Sequence, residues 1–504
     1  MTAGKASTIV SIVAMLIYSV LRRLMGLIGI ASVARLLSPA DLAAYAFVQT
    51  TGQTFVGLFR FGALQGLHVA LGRREGDATA EGAGTLIGGG ILLVCTIATV
   101  GGLVMVALAE TIARDLFGAP ELTTYVTAAA VFFVAQYLSR AAYVGFAGLG
   151  RFVEYAWWAT AIGITTVPAT ILGALLFGVM GAVWGFVGTS LAGVPVFVFG
   201  LLRALRGAGI RLRWRLTWAH TKEIFRVGLP FYGEGALLIP AVFVAQGAVS
   251  RFGGLEDLAD LRIVMTLMGV VELVPQSIAG PVISLFAARE GRVAGSGRAS
   301  AFDHMRWLWT FALVIGAGLA AVWPLAVLVV FGSGYPQAAQ VGQLGIAGFL
   351  PSLIGTSLMA GILVGGRTLP LLLTGALQGA VMVSLALVLV PSLGLVGFFA
   401  AQTAAGTATV VLRLTVLGMQ TGGTPLRPWM GPLLAATLIL FAALILDMQI
   451  DETALQRAVV AAVALPALGL WIAFTAMTGP ERVALLARAR QLLVRVRVGK
   501  GPQA

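Results

Sequence analysis

The sequence carries very little charge for its length. Only 11% of its 504 residues are Asp, Glu, Lys or Arg, whereas 59% are hydrophobic. A soluble domain carries about 25% charged residues. A surface so poor in charge would aggregate in water, because exposed apolar patches associate. The composition therefore excludes a soluble globular protein and favours an integral membrane protein.

Cysteine and histidine are also scarce. The single cysteine, Cys95, can form no intrachain disulfide and excludes zinc clusters. His68, His220 and His304 lie too far apart in sequence to show metal-ligand spacing. The Gly-x-x-x-x-Gly-Lys-Ser/Thr loop of nucleotide hydrolases is missing as well. We therefore expect no metal, no cofactor and no nucleotide-driven chemistry.

Long apolar runs fill most of the chain. A helix needs about 20 mostly apolar residues to cross the hydrocarbon core. The first run continues without a small-residue cleavage site, so we expect a first spanning helix and no cleavable signal peptide. Fourteen runs qualify, which predicts an all-α integral membrane protein. They are 9–36, 42–71, 84–108, 122–148, 152–177, 180–202, 227–249, 258–287, 307–330, 338–365, 369–390, 395–417, 428–446 and 455–477.

The distribution of basic residues predicts the orientation. With the N-terminus inside, 23 of the 33 Lys and Arg fall in cytoplasmic segments, and only Arg114 and Arg251 fall outside. Cytoplasmic loops carry such an excess of Lys and Arg. The net charge of +13 is therefore assigned to these loops and not to nucleic-acid binding. The basic, tryptophan-containing linker 206–226 and the tail 478–504 are expected to lie on anionic lipid.

The two halves of the chain resemble each other. Arg35 and Arg251 are each followed six residues later by Asp-Leu-Ala, and Arg-Glu-Gly occurs at 74–76 and 289–291. The glycine-rich end of the fourth span, at Gly150, returns at Gly366. Each repeat holds six spans, an even number, which predicts a parallel repeat.

We therefore expect two parallel six-helix bundles around a central cavity, followed by two further helices. Bundles of this kind transport their substrate by rocking against each other. The predicted units are 1–205, the linker 206–226, 227–418, the two added helices 428–477, and the tail 478–504.

Several stretches carry a family resemblance. The run from Ala34 to Ala46, ARLLSPADLAAYA, resembles the link between the first two helices of polysaccharide-export proteins, as does FGALQG at 61–66. VGLP at 227–230, FGSGY at 331–335 and VPSLGLVG at 390–397 resemble the second half of that family. The family is the O-antigen and exopolysaccharide flippases of the multidrug/oligosaccharidyl-lipid/polysaccharide exporter superfamily.

The resemblance implies a flippase of lipopolysaccharide or exopolysaccharide biosynthesis in the cell inner membrane. Its substrate would be a lipid-diphosphate-linked oligosaccharide, and its partners a polysaccharide polymerase and glycosyltransferases of the same pathway. Two alternatives remain open: a murein-precursor (lipid II type) flippase and a cation-coupled exporter of small molecules. A membrane enzyme is disfavoured, because no outer loop is long enough for a catalytic domain.

Charged residues inside the spans are the candidate site. A charge at the bilayer centre costs about 2.5–3.5 kcal/mol. Arg22, Arg23, Arg60 and Arg140 lie at mid-depth in the first half and would bind the diphosphate, because guanidinium groups donate bidentate hydrogen bonds to phosphate. The alternative is that they snorkel or pair with acids. Arg35 and Arg262 lie near the outer ends and are expected at the interface.

Two carboxylates in the second half are candidate ion-coupling groups. Glu272 is central in the eighth span, and Glu234 lies in the inner third of the seventh. Each could carry a proton or bind sodium, and each could instead form a structural ion pair with an arginine.

The orientation is directly testable. We expect a fluorescent protein that matures only in the cytoplasm to fluoresce when it is fused after Pro480, because 23 basic residues then lie inside. Alkaline phosphatase, which is active only outside, should be inactive at the same position. The reverse pair of results would show that the topology is wrong.

Overall fold

The computed structural model describes residues 2–64, 66–67, 80–215, 217–365, 369–422, 427 and 429–447. Across this part of the chain the structure is helical and contains no β-strand, which confirms the all-α class. Eight of the described helices are long and apolar enough to cross a membrane.

Five long helices make up the first half of the chain. A π-helical turn at Thr111–Leu116 and a short 3₁₀ turn at Pro120–Leu122 connect the third helix to the fourth. The helices are α1 (Thr2–Leu36), α2 (Pro39–Leu58), α3 (Ala80–Ala107), α4 (Thr123–Gly148) and α5 (Phe152–Gly207).

Seven helices make up the described part of the second half. The carboxylate of Glu290 accepts hydrogen bonds from the first amides of one of them, at Gly297 and Arg298. The helices are α6 (Trp218–Val271), α7 (Leu273–Arg292), α8 (Ser296–Phe331), α9 (Pro336–Val341), α10 (Gln343–Val364), α11 (Leu369–Thr421) and α12 (Met430–Asp447).

Three of these helices are too long to be single spans, and each is broken at a glycine. Helix α5 would measure about 84 Å if it were straight, against a core of about 30 Å. Gly178, Gly254 and Gly394 have φ of 62°, 85° and 55°, a region that favours glycine. A Cβ placed on Gly185 would lie 2.3 Å from the carbonyl oxygen of Ala169, so α5 folds back on itself.

The breaks divide the helices as the hydropathy pattern predicts. Gly178 and Gly394 fall between the fifth and sixth and between the eleventh and twelfth predicted spans, 216 residues apart, as Gly150 and Gly366 are. Each of the first thirteen predicted spans overlaps a described helical segment. The fourteenth span and the tail lie outside the described residues.

The helices pack as two lobes. In the first, the N-lobe, α5 lies against α1 and α4, and α4 also packs on α2 and α3. In the second, the C-lobe, α11 lies against α6 and α10, and α8 packs on α10 and α7. The main contact between the lobes runs along α2 and α6. Helix α12 packs on α8 and α10 at the side of the C-lobe.

The apolar run of the second span had suggested one continuous helix, but the structure breaks it. Helix α2 ends at Leu58, and the next residues turn, with φ of 42° at Phe61 and 72° at Gly62. At this turn the backbones of the two lobes touch directly. A Cβ placed on Gly228 of α6 would lie 1.9 Å from the carbonyl oxygen of Gly62. Glycine is therefore required here for the lobes to approach.

Substitution of this glycine should loosen the packing of the lobes. We expect Gly228→Ala to lower the free energy of unfolding by about 1–3 kcal/mol, because the added methyl group overlaps backbone that cannot rotate away. Thermal unfolding of the purified protein in detergent measures this. Gly188→Ala is the matched control: no atom lies within 4 Å of its Cβ position, so stability should stay equal or rise. Equal stability of both variants would contradict the Gly62–Gly228 contact.

Candidate functional site

Three arginines from three helices lie close together in the N-lobe. Arg22 comes from α1, Arg60 from the turn after α2, and Arg140 from α4. The charges of Arg22 and Arg60 both act on Arg140. Arg22 is exposed, and Arg60 and Arg140 are partly exposed, so a ligand can reach all three. We call these residues the arginine cluster.

The polar neighbours of the arginine cluster are neutral. Arg140 donates a hydrogen bond from Nη2 to Oε1 of Gln53 on α2, at 3.2 Å. Tyr18 contacts Arg22 one helical turn away. Among the side chains that the structure describes, no carboxylate acts on these three guanidinium groups. The N-lobe therefore concentrates positive charge that its own described acids do not neutralise.

An aromatic wall borders the arginine cluster. The rings of Tyr18 and Tyr155 meet edge-on with centroids 5.8 Å apart, and Tyr143 lies 4.8 Å from Tyr155. Phe197 stacks on the other side of Tyr155 at 5.4 Å. Tyrosines combine a flat apolar face with a hydroxyl group that can donate or accept hydrogen bonds. Tyr155 and Phe197 are buried, so only the partly exposed Tyr18 and Tyr143 present such a surface to a ligand.

Two further tyrosines hold the turn that carries Arg60. Tyr137 of α4 donates a hydrogen bond to the carbonyl of Phe59 at 2.9 Å. Tyr232 of α6 donates a hydrogen bond to the carbonyl of Leu58 across the lobe boundary. A helix end inside the membrane leaves carbonyls without partners, and these hydroxyl groups satisfy two of them. The position of Arg60 therefore depends on contacts with both lobes.

Arg23, the fourth predicted arginine, faces the C-lobe and not the cluster. A Cβ placed on Gly269 of α6 would lie 2.8 Å from its Nη1. Its nearest acidic influence is Glu272, which lies where α6 gives way to α7. Arg23 and Glu272 thus attract each other across the lobe boundary, as the structural alternative for both residues had suggested. The side chain of Glu234 lies outside the described part of the structure.

The lobes are joined at the predicted outer end, where α1 meets α2, by two arginines in equivalent positions of the repeat. Arg35, at the end of α1, donates hydrogen bonds to the carbonyls of Val330 at 3.0 Å and of Val329. Arg251, before the Gly254 break, donates to the carbonyl of Asp115. The first span thus reaches the end of the ninth, and the seventh reaches the end of the third. We call this pair the outer latch.

Two more contacts join the lobes near the outer latch. Arg262 of α6 donates a hydrogen bond to Oε1 of Gln49 on α2, and Tyr335 donates to the carbonyl of Ala34 at 3.0 Å. The prediction that Arg35 and Arg262 lie at the membrane interface stays a prediction. The structure adds that both bind the opposite lobe, because an intramolecular carbonyl or amide oxygen lies within their reach.

A second concavity lies in the C-lobe, at its predicted cytoplasmic end. It has a volume of about 450 Å³ and is lined by Arg298, Pro370, Met419 and Gln420, among others. Its one arginine, Arg298, already forms a 2.8 Å salt bridge with Glu290 and a hydrogen bond to the carbonyl of Gln420. Among the described residues that line it no cation is uncommitted, so this cavity fits an anionic ligand less well than the arginine cluster does.

Sequence reasoning missed the tyrosines and Gln53. Two of them carried a local signal: Tyr18 precedes Arg22 by four residues and Tyr137 precedes Arg140 by three, spacings that place side chains on one helical face. Gln53 and Tyr232 carried no such signal, because they meet their partners only through the packing of separate helices.

The fold is that of the MOP superfamily transporters. A lipid II flippase, MurJ, in an inward closed conformation is similar with a TM-score of 0.67 at 14% identity, over 91% of this chain and 98% of that one. An inward-facing multidrug resistance MATE family transporter is similar with a TM-score of 0.62 at 17% identity, over 81% and 99%. A MOP superfamily transporter from Pyrococcus furiosus reaches a TM-score of 0.58 at 16% identity, over 81% and 96%.

The polysaccharide biosynthesis protein family matches residues 32–340. This chain belongs to that family, which confirms the resemblance seen in its motifs. Among curated proteins, none matches the sequence. With this family and fold, and with eight described helices apolar enough to cross a membrane, the protein is a multi-pass membrane member of the polysaccharide biosynthesis family with a transporter fold.

Proposed function

We propose that this protein flips a lipid-diphosphate-linked oligosaccharide across the cell inner membrane for lipopolysaccharide or exopolysaccharide biosynthesis. The observation that carries the proposal is the arginine cluster, three guanidinium groups with no described carboxylate acting on them, which the span prediction places at mid-depth. A charge at that depth is costly unless a partner of opposite sign visits it. A diphosphate is such a partner, and guanidinium groups bind phosphate through paired hydrogen bonds.

In this mechanism the diphosphate binds Arg22, Arg60 and Arg140 while the lipid tails stay in the bilayer. Tyr18 and Tyr143, the partly exposed members of the aromatic wall, would contact the sugars, while the buried Tyr155 and Phe197 hold them in place. The lobes then rock, and the site opens to the other side. This movement would displace Arg60, because Tyr232 of the opposite lobe holds the turn that carries it. Glycosyltransferases would act before this step, and a polysaccharide polymerase would act after it.

Two alternatives share the fold. A lipid II type flippase is supported by the likeness to MurJ and would use the same arginine cluster, since its substrate also carries a diphosphate. A cation-coupled exporter of small molecules is disfavoured, because cationic substrates would be repelled by the cluster. The Arg23–Glu272 attraction leaves Glu272 as a candidate coupling group only if protonation or an ion can separate the pair.

Removal of the cluster should abolish export without unfolding the protein. We expect Arg22→Ala/Arg60→Ala/Arg140→Ala to lower glycan export at least roughly ten-fold, since each charge-assisted hydrogen bond contributes about 1.5–3 kcal/mol. The triple Arg→Lys variant should keep partial export, because the charge survives and only the paired geometry is lost. Export and membrane abundance are measured on the same cells.

The matched control removes three exposed arginines elsewhere, Arg114, Arg203 and Arg206. It should export normally at normal abundance. Normal export by the abundant triple Ala variant would refute the proposal. Loss of the triple Ala variant from the membrane, with normal abundance and full export of the triple Lys variant, would instead assign the arginines of the cluster to folding.

A disulfide that joins the two lobes beside the outer latch should stop transport. Leu116 and Gly247 lie in opposite lobes, and a Cβ on Gly247 would lie 2.8 Å from Cγ of Leu116. We expect Leu116→Cys/Gly247→Cys, in a Cys95→Ala background, to cross-link on oxidation and to block export until a reductant is added. Export should stop because the lobes can rock only if the contact between Leu116 and Gly247 opens.

The control cross-link joins two helices of one lobe. Ala241 and a Cβ on Gly379 are 3.2 Å apart, so Ala241→Cys/Gly379→Cys should cross-link yet leave export unchanged. Undiminished export by a fully cross-linked Leu116/Gly247 pair would contradict rocking lobes.

A further inference from the structure

The connection between the lobes is fastened to the start of α3. Residues 208–217 leave the end of α5 and run to the start of α6. The amide of Arg213 donates a hydrogen bond to the carbonyl of Gly84 at 3.2 Å. A Cβ on Gly84 would lie 2.0 Å from the carbonyl oxygen of Arg211, and one on Gly88 would lie 2.4 Å from that of Arg213. Only glycines allow this close backbone packing, which fixes the course of the connection.

This fixed course points the apolar side chains of the connection towards the core and its basic and aromatic side chains outward. Ile210 and Leu212 are partly buried and pack against the core. The outward side chains form a basic and aromatic strip, which we call the Arg–Trp strip. Its members are Arg211, Arg213, Trp214, Arg215 and Trp218, all exposed, with Trp214 at 60% and Trp218 at 80%.

The Arg–Trp strip lies between the end of α5 and the first turn of α6. Thr217 caps α6 by accepting a hydrogen bond from the amide of His220, so a new helix starts beside the strip. Lys222 and Arg226, in the first turns of that helix, are exposed as well. Between residues 206 and 222 the sequence contains no Asp or Glu. Tryptophan favours the membrane–water interface, and arginine there meets lipid phosphate.

We propose that the Arg–Trp strip is a binding site for anionic phospholipid headgroups. Arg211, Arg213 and Arg215 bind the phosphates, and Trp214 and Trp218 insert between headgroup and acyl chain. Charge complementarity favours this occupant, since each basic residue near an anionic surface raises the preference roughly five-fold. On a surface that faced water, the two exposed tryptophans would have no apolar surroundings to stabilise them. The site lies apart from the arginine cluster and does not depend on the proposed function.

Tryptophan quenching by brominated lipid tests the site on the full-length chain. The purified protein is reconstituted in phosphatidylcholine vesicles with a minor fraction of brominated phosphatidylglycerol, or with brominated phosphatidylcholine in the same mixture. Subtracting the signal of the Trp214→Phe/Trp218→Phe variant isolates the two tryptophans of the strip. We expect the anionic lipid to quench them at least about three-fold more effectively, and high salt to reduce the difference.

Variants of the three arginines test whether their charge causes the preference for anionic lipid. Arg211→Gln/Arg213→Gln/Arg215→Gln should make the two lipids equal quenchers, and the triple Arg→Lys variant should keep the preference. Trp184, 47% exposed on the lipid-facing part of α5, is the control, since its signal should not distinguish the headgroups. Equal quenching in the wild type would overturn the proposal. So would no quenching by either lipid, which would place the strip in water and favour a soluble acidic partner.

Discussion

The high cost of a guanidinium charge inside an apolar slab constrains everything else in this protein. Arg22, Arg60 and Arg140, which the sequence predicts at mid-depth, have neutral polar groups beside them from the neighbouring helices. Gln53 accepts a hydrogen bond from Arg140, and tyrosines surround the group. The described acids lie elsewhere: Glu272 faces Arg23, and Glu290 binds Arg298. This separation leaves a field in the N-lobe that an anionic substrate can neutralise.

Glycine supplies the second constraint, because two lobes that move must still approach closely. At Gly62 and Gly228 the lobes touch through backbone on the predicted cytoplasmic side, and at the outer latch Arg35 and Arg251 bind carbonyls of the opposite lobe. Hydrogen bonds to carbonyls can be exchanged for hydrogen bonds to water with small net change. The outer latch can therefore release without the loss of a buried ion pair, as a rocking mechanism requires.

Much of the fold follows from the sequence, because hydropathy and glycine are local signals. The turns at Gly178 and Gly394 were expected from short glycine-containing gaps between apolar runs, and the structure places left-handed glycines there. The depth of the arginines in the membrane stays a prediction from their position in the spans. Their partners were not: Tyr232 and Gln49 act on residues about 170 to 210 positions away, which only helix packing can bring together. The partners of Arg35 and Arg262 in the opposite lobe were missed for the same reason.

The claim at the centre of this account is that the N-lobe arginines carry a lipid diphosphate. The most direct measurement reconstitutes the purified protein in vesicles and follows a fluorescent polyprenyl-diphosphate sugar as it becomes accessible on the opposite leaflet. The account predicts translocation faster than in protein-free vesicles, competed by unlabelled lipid diphosphate and unaffected by cationic dyes. Vesicles that transport a cationic dye, and leave the lipid diphosphate on its original leaflet, would contradict it.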